Sequence, residues 1–187
     1  MKLKNNLFLT LLLVFSLTLA ACGNDEKENQ KEETHEGMDH GNMDHTGSGE
    51  IPKGLKEAKD PAFPVDSKAI IKADHMKGMD GAEATNVGAY DTTVYTVSYT
   101  PTTGGKKVTD HKWVIHEELE NPGEQPLKEG TEVTLNANHM KGMKGAKATI
   151  DSAEQTTVYM VDYTPTTGGE KVTNHKWVTE SELSAEK

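Results

Sequence analysis

From about residue 60 onward, apolar and polar side chains alternate with a period of two, and no helical stripe emerges. The clearest run is Thr92-Thr93-Val94-Tyr95-Thr96-Val97-Ser98-Tyr99-Thr100. It is β-branched and aromatic, and it predicts a strand with Tyr95, Val97 and Tyr99 on one face. Pro61 to Val65 reads as a short entry, Ala69-Ile70-Ile71 as a first strand and Ala82 to Val87 as a second. Lys107-Val108 through Trp113-Val114 predicts a further strand, and Glu117-Glu118-Leu119 closes the unit. Thr100-Pro101-Thr102-Thr103-Gly104-Gly105 is turn chemistry, because glycine supplies the positive φ that other residues resist.

The whole pattern then comes again. His75-Met76-Lys77-Gly78-Met79 returns as His139-Met140-Lys141-Gly142-Met143, 64 positions later and without insertion. Between Lys68–Leu119 and Glu132–Leu183, 32 of 52 aligned positions are identical. Val133-Thr134-Leu135 takes the place of the first strand. Short strands between Gly/Pro turns predict an all-β, antiparallel fold. The expected organisation is two tandem small barrels, residues 61–122 and 123–187, with the boundary at Asn121 to Pro126. Each is about the size at which a domain just buries enough surface to fold. The strand order is that of an SH3-like or KOW-like barrel, an analogy that carries no function.

The N-terminal part departs from this pattern. Lys2 and Lys4 precede an apolar run, Leu7 to Ala20, too short for a membrane span. It ends in Leu19-Ala20-Ala21-Cys22, which resembles a bacterial lipobox. Residues 1–21 are therefore expected to be a lipoprotein signal peptide, with Cys22 lipidated at the new N-terminus. Cys22 is the only cysteine, so no disulfide forms within the chain. Residues 22–60 are polar and are expected to form a disordered tether. The mean hydropathy of −0.68 averages this tether with the two compact units. A net charge of −10 argues against nucleic-acid binding and suits a surface that attracts cations.

The candidate chemistry is that of histidine and methionine. The tether holds His35, Met38, His40, Met43 and His45 within eleven residues. Apart from Met1 and Met160, every other methionine lies in the two His-Met-Lys-Gly-Met motifs. Thioether sulfur selects Cu(I), and imidazole suits copper and zinc, so copper is favoured over zinc. In the repeats the expected ligands are His75, Met76 and Met79, with His139, Met140 and Met143 as their counterparts. A repeated methionine also serves as a core plug, and both roles stay open here. His111 is a candidate further ligand within the first unit, and His175 within the second. His116, whose counterpart is Glu180, reads as a solvated residue. No nucleophile stands beside a base, and neither His-Glu-x-x-His nor a phosphate-cradling glycine loop occurs, so no enzyme is expected.

Three motifs carry a resemblance: His-Met-x-Gly-Met-x-Gly-Ala-x-Ala-Thr, Thr-Val-Tyr-x-Val-x-Tyr-Thr-Pro-Thr-Thr-Gly-Gly, and His-Lys-Trp-Val-x-x-x-Glu-Leu. They resemble the tandem domain of the YdhK/CopL lipoproteins of Gram-positive bacteria over roughly residues 66–183. The resemblance implies an extracytoplasmic, lipid-anchored, copper-binding protein of copper tolerance. It points to His75, Met76, Met79 and their second-copy counterparts. Such a protein would hold Cu(I) as a buffer, a scavenger or a donor to a transporter. The competing expectation is a cell-wall or protein interaction module built from tandem SH3-like domains.

Overall fold

The computed structural model describes residues 47–186. Its strands are β1 (Lys56–Glu57), β2 (Lys68–Ile71), β3 (Glu83–Tyr99), β4 (Val108–Ile115), β5 (Glu132–Thr134), β6 (Lys147–Tyr163), β7 (Val172–Thr179) and β8 (Leu183–Ser184). Two 3-10 turns, His116–Glu118 and Glu180–Glu182, are the helical parts of the described residues. The all-β antiparallel class expected from the alternation is what forms. Among the described residues no helix is long and apolar enough to cross a membrane. The lipobox and the tether's His/Met tract, Cys22 to His45, lie outside the described residues.

Ala82–Val87 and Thr92–Thr100, expected as two strands, belong to one 17-residue strand, β3. Gly88 sits between them without ending the strand. The Gly88 N–H donates to Asn86 Oδ1 at 3.0 Å, and the register against β6 shifts between Asn86 and Gly88. A bulge of this kind absorbs an extra residue and lets pairing resume.

The long strands β3 and β6 pair antiparallel from Ala84↔Tyr163 to Tyr99↔Ala148. At the middle of that ladder Thr92 faces Thr156, the same position in the two copies. A pseudo-twofold axis therefore passes through this pair and relates one repeat to the other. The strands join across the repeats into one sheet and do not close repeat by repeat.

The cores follow the same exchange. One contains Ile71, Met79, Ala82 and Ala84 from the first repeat, packed on Tyr159, Val161, Tyr163, Val178 and Leu183 from the second. The other contains Tyr95, Val97, Tyr99, Val114 and Leu119 from the first repeat, with Leu135, Met143, Ala146 and Ile150 from the second. A third cluster lies near the pseudo-axis and joins Tyr90, Val94, Trp113 and Ile115 to Val158, Met160 and Trp177. Backbone bridges repeat the exchange: Ile71 pairs with Leu183 and Leu119 with Leu135. Burying one such aliphatic side chain contributes roughly 1.5–3 kcal/mol, and much of this burial arises between repeats.

One feature departs from the twofold symmetry. The Gly47 N–H donates to Thr173 O at 2.8 Å, and Lys176 Nζ reaches Glu50 O. The entry segment thus covers the outer edge of β7, which would otherwise present unpaired backbone groups.

Candidate metal site

Each His-Met-Lys-Gly-Met motif forms the loop between a short strand and a long one, β2 and β3 or β5 and β6. The loop docks on the Thr-Pro-Thr-Thr-Gly-Gly turn of the other repeat. Gly78 O accepts from Thr166 N at 2.9 Å and from Thr166 Oγ1 at 3.2 Å. Gly142 O accepts from Thr102 in the same way. Gly78 has φ +81°, and a Cβ there would stand 2.5 Å from Thr167 Oγ1 and 3.1 Å from Pro165 Cβ. Gly142, at φ +79°, is equally hemmed in by Thr103 and Pro101. Positive φ and close approach together require glycine at both positions.

Docking fixes where the motif's side chains go. Met79 and Met143 turn inward and are 0% exposed, each among Ala, Ile, Leu, Tyr and Val side chains. The expectation that they face an ion is corrected: both act as core plugs. Met76 and Met140 are half-buried at the margins of the same cores. Tyr99 Oη donates to Met140 Sδ at 3.9 Å, so this sulfur lies beside a polar group.

The histidines beside these methionines are held across the repeats. His139 Nε2 lies 2.8 Å from Glu118 Oε1, and Trp177 Nε1 donates to Glu118 Oε2 at 3.0 Å. The counterpart set is His75 Nε2 with Glu182 Oε1 at 2.8 Å, and Trp113 Nε1 to Glu182 Oε2 at 2.8 Å. The N–H groups of Ile115 and Thr179 complete the two carboxylates as caps of the 3-10 turns. Burial pushes the Glu118 carboxyl up, but His139, Trp177 and Ile115 outweigh it and hold it below the usual range. The same balance, with His75 and the Thr179 and Trp113 donors prevailing over burial, holds Glu182 down at about 2.

His111 was expected to join His75 within one unit. Instead its ring lies 6.3 Å from that of His139, centroid to centroid, and stands edge-on to Tyr99 at 5.9 Å. His175 stands edge-on to Tyr163 at 5.8 Å, as the symmetry requires. The pairing register of β4 on β3 explains the switch. His111 pairs with Val97 and Val114 with Tyr95, so the strand shifts register between them. His111 then serves the cluster with His139, while Trp113, two residues on, serves the cluster with His75.

One cluster therefore gathers His111, His139 and Met140 around Tyr99, with Glu118 and Trp177 behind His139. Metal–imidazole bonds of about 2.0–2.1 Å put two rings on one ion with centroids roughly 5–6 Å apart. The 6.3 Å between the His111 and His139 centroids lies just outside that spacing. No group of three His, Cys, Asp or Glu among the described residues is arranged for an ion, and the soft atom nearest these two rings through Tyr99 is the Met140 thioether. Two imidazoles and a soft sulfur fit a copper ion better than a hard cation. In the other cluster, His75 Nδ1 is buried and has no hydrogen-bond partner among the described residues.

Sequence reasoning missed three participants. Glu118 and Glu182 are unchanged between the copies, and that identity within the closing Glu-Leu was the available signal. His116 is not a solvated residue: it is buried, with Nδ1 3.0 Å from Tyr95 Oη and Nε2 3.2 Å from Gly123 O. Its counterpart Glu180 accepts from Tyr159 Oη at 2.9 Å. The position keeps a partner for the same tyrosine with a different residue type.

Comparison with known proteins places this geometry among relatives. A family model described as a protein of unknown function, DUF1541, matches residues 65–116 and 129–180. An uncharacterized protein, YdhK of Bacillus subtilis strain 168, is 59% identical over 179 residues, spanning 94% of this chain and 86% of its own. A 2.00 Å crystal structure of the B. subtilis protein is similar with a TM-score of 0.74 at 65% identity, covering 76% of this chain and 97% of that one. A solution NMR structure of the C-terminal domain of the B. subtilis protein has a TM-score of 0.63 at 67% identity, covering 66% and 93%.

Proposed function

The chain belongs to the DUF1541 family, and we propose that this member is an extracytoplasmic, lipid-anchored protein that binds copper, sequestering or buffering Cu(I) in copper tolerance. It is a binding protein without catalytic activity, tethered through Cys22 to the outer face of the cell membrane. A copper transporter is the natural recipient or source of its cargo. The observation that carries this reading is the chain of contacts that links His111 and Met140 to Tyr99 and His139 to His111, drawn from both repeats. Met140 packs only at the margin of its core, and oxidation threatens a half-exposed thioether outside the cytoplasm. As ligands for monovalent copper, the same three groups are well matched. The tether's His35, Met38, His40, Met43 and His45 repeat that donor set and add capacity upstream of the folded part.

In this reading His139, His111 and Met140 hold one ion, and His75, His175 and Met76 a second. Tyr99 steadies the thioether, and the glycine at the loop's bend keeps the motif docked. The test is Cu(I) uptake by the purified chain, with and without residues 23–60. Met76→Leu with Met140→Leu is expected to lower uptake by the folded part. Met79→Leu with Met143→Leu conserves core volume, costs less than about 1.5 kcal/mol per site, and leaves uptake unchanged. Equal uptake by all variants, together with chelator-insensitive retention on cell wall, would favour the interaction module instead.

A further inference from the structure

The two carboxylates that close the repeats have no role in the reading above, and their geometry is that of groups that aim an imidazole. We infer that Glu182 and Glu118 are positioning residues acting across the repeats: each holds the Nε2–H of the other repeat's motif histidine, so that Nδ1 is the nitrogen presented to the ion. The inference rests on the copper reading for what Nδ1 binds, and on the hydrogen bonds between the repeats for how the ring is held.

Three observations carry it. The Nε2 atoms of His75 and His139 each lie 2.8 Å from a carboxylate oxygen of the opposite repeat. Each carboxylate spends its second oxygen on an indole N–H and a backbone N–H, which fixes its plane. His75 Nδ1 is buried without a hydrogen-bond partner among the described residues, so no protein group there fixes the tautomer from the other side. With a carboxylate accepting from Nε2–H, the neutral ring carries its lone pair on Nδ1. A carboxylate behind an imidazole also raises its basicity as a ligand, and removal of such a partner typically weakens metal binding by 10–100-fold. Lys-Trp-Val and Glu-Leu thus belong to the site as much as His-Met does, though neither supplies a donor to the ion.

The exchange makes the inference specific. Glu182 stands in the second repeat but serves His75 of the first, and Glu118 in the first serves His139 of the second. A purely structural carboxylate would disturb the fold around its own turn. A positioning carboxylate alters one named ring in the opposite repeat.

The experiment follows the ring nitrogens of His75 and His139 by 15N NMR in the purified chain, first without metal and then through a Cu(I) titration. Copper in this state is diamagnetic, so the resonances stay visible. In the wild-type chain both neutral rings are expected as the Nε2–H form. In Glu182→Ala the His75 ring is expected to mix its two tautomers while His139 is unchanged, and Glu118→Ala is expected to do the reverse. Cu(I) affinity reported by His75 should fall 10–100-fold in Glu182→Ala and by less in Glu182→Gln, whose amide oxygen still accepts a bond. If Glu182→Ala fails to fold by circular dichroism, Glu182→Gln carries the comparison. A folded variant in which His75 keeps one tautomer and full affinity overturns the inference, as does a response at His139 in place of His75. If the wild-type chain takes up no Cu(I), the copper reading fails, and the tautomer comparison alone still decides whether the carboxylates position the rings.

Discussion

At the scale of single residues, identical side chains do different work according to where the loop points them. Met76 and Met79 are three positions apart, yet one sits at a core margin and the other is sealed inside. No local pattern separates them, because the loop's docking on Pro165 to Thr167 of the other repeat decides which way each turns. The tyrosines are more legible: alternation put Tyr95, Val97 and Tyr99 on one face, and all three enter one core. Burial also governs their chemistry. It is the main cause that pushes Tyr159 and Tyr163 up to about 12. For Tyr159 the bond to Glu180 adds to that shift. A phenol ionises near 10 once unfolded, so this contribution to stability is whole below about 10 and is lost as pH climbs through 12. Burial also raises Tyr90, Tyr95 and Tyr99, so alkaline titration followed by phenolate absorbance is expected to show every tyrosine late, and Tyr159→Phe to remove one of the two latest. The same variant should cost about 1 kcal/mol in denaturant melts at neutral pH, for the lost bond.

At the scale of elements, the strands were readable and their partners were not. β2, β4 and the second half of β3 lie close to where β-branched and aromatic runs put them. Two segments fused into one 17-residue strand because β6 offers a ladder along its whole length, and that support comes from outside the local sequence. The same limit applied to His111. Its strand was evident, but the register shift on β3 that sends it toward His139 was not. The loop and the turn that cradles it form the other decisive pair. Gly78→Ala meets both a φ of +81° and Thr167 Oγ1 at 2.5 Å. It is expected to destabilise the chain by about 1–3 kcal/mol. Hydrogen exchange should quicken at Thr166, whose N–H bonds to Gly78 O. Gly81→Ala, where φ is +77° but no atom lies within 4 Å of the added Cβ, should cost less. Equal losses would show that backbone strain alone matters and that the docking contact does not.

At the scale of the whole molecule, the unit of sequence and the unit of packing are different things. The duplication was plain from 32 identities in 52 positions. That each core draws on both copies was invisible, because identical halves predict the same contacts whether they pair within a repeat or between repeats. The exchange has a direct test. Residues 123–187 alone lack the strand and turn that complete their core. They are expected to be unfolded when dilute and to assemble as a twofold dimer when concentrated, because each copy supplies what the other lacks. Sedimentation with circular dichroism over a concentration series checks this. A folded monomer that unfolds independently of concentration would mean that one repeat can satisfy itself.

The Thr92–Thr156 pair on the pseudo-axis has an evolutionary consequence. Two copies knitted through one ladder are not free-standing paralogues, since a change in either half is felt in both hydrophobic interiors. Deleting one copy would not leave half of an intact fold; it would leave an orphan seeking a twin.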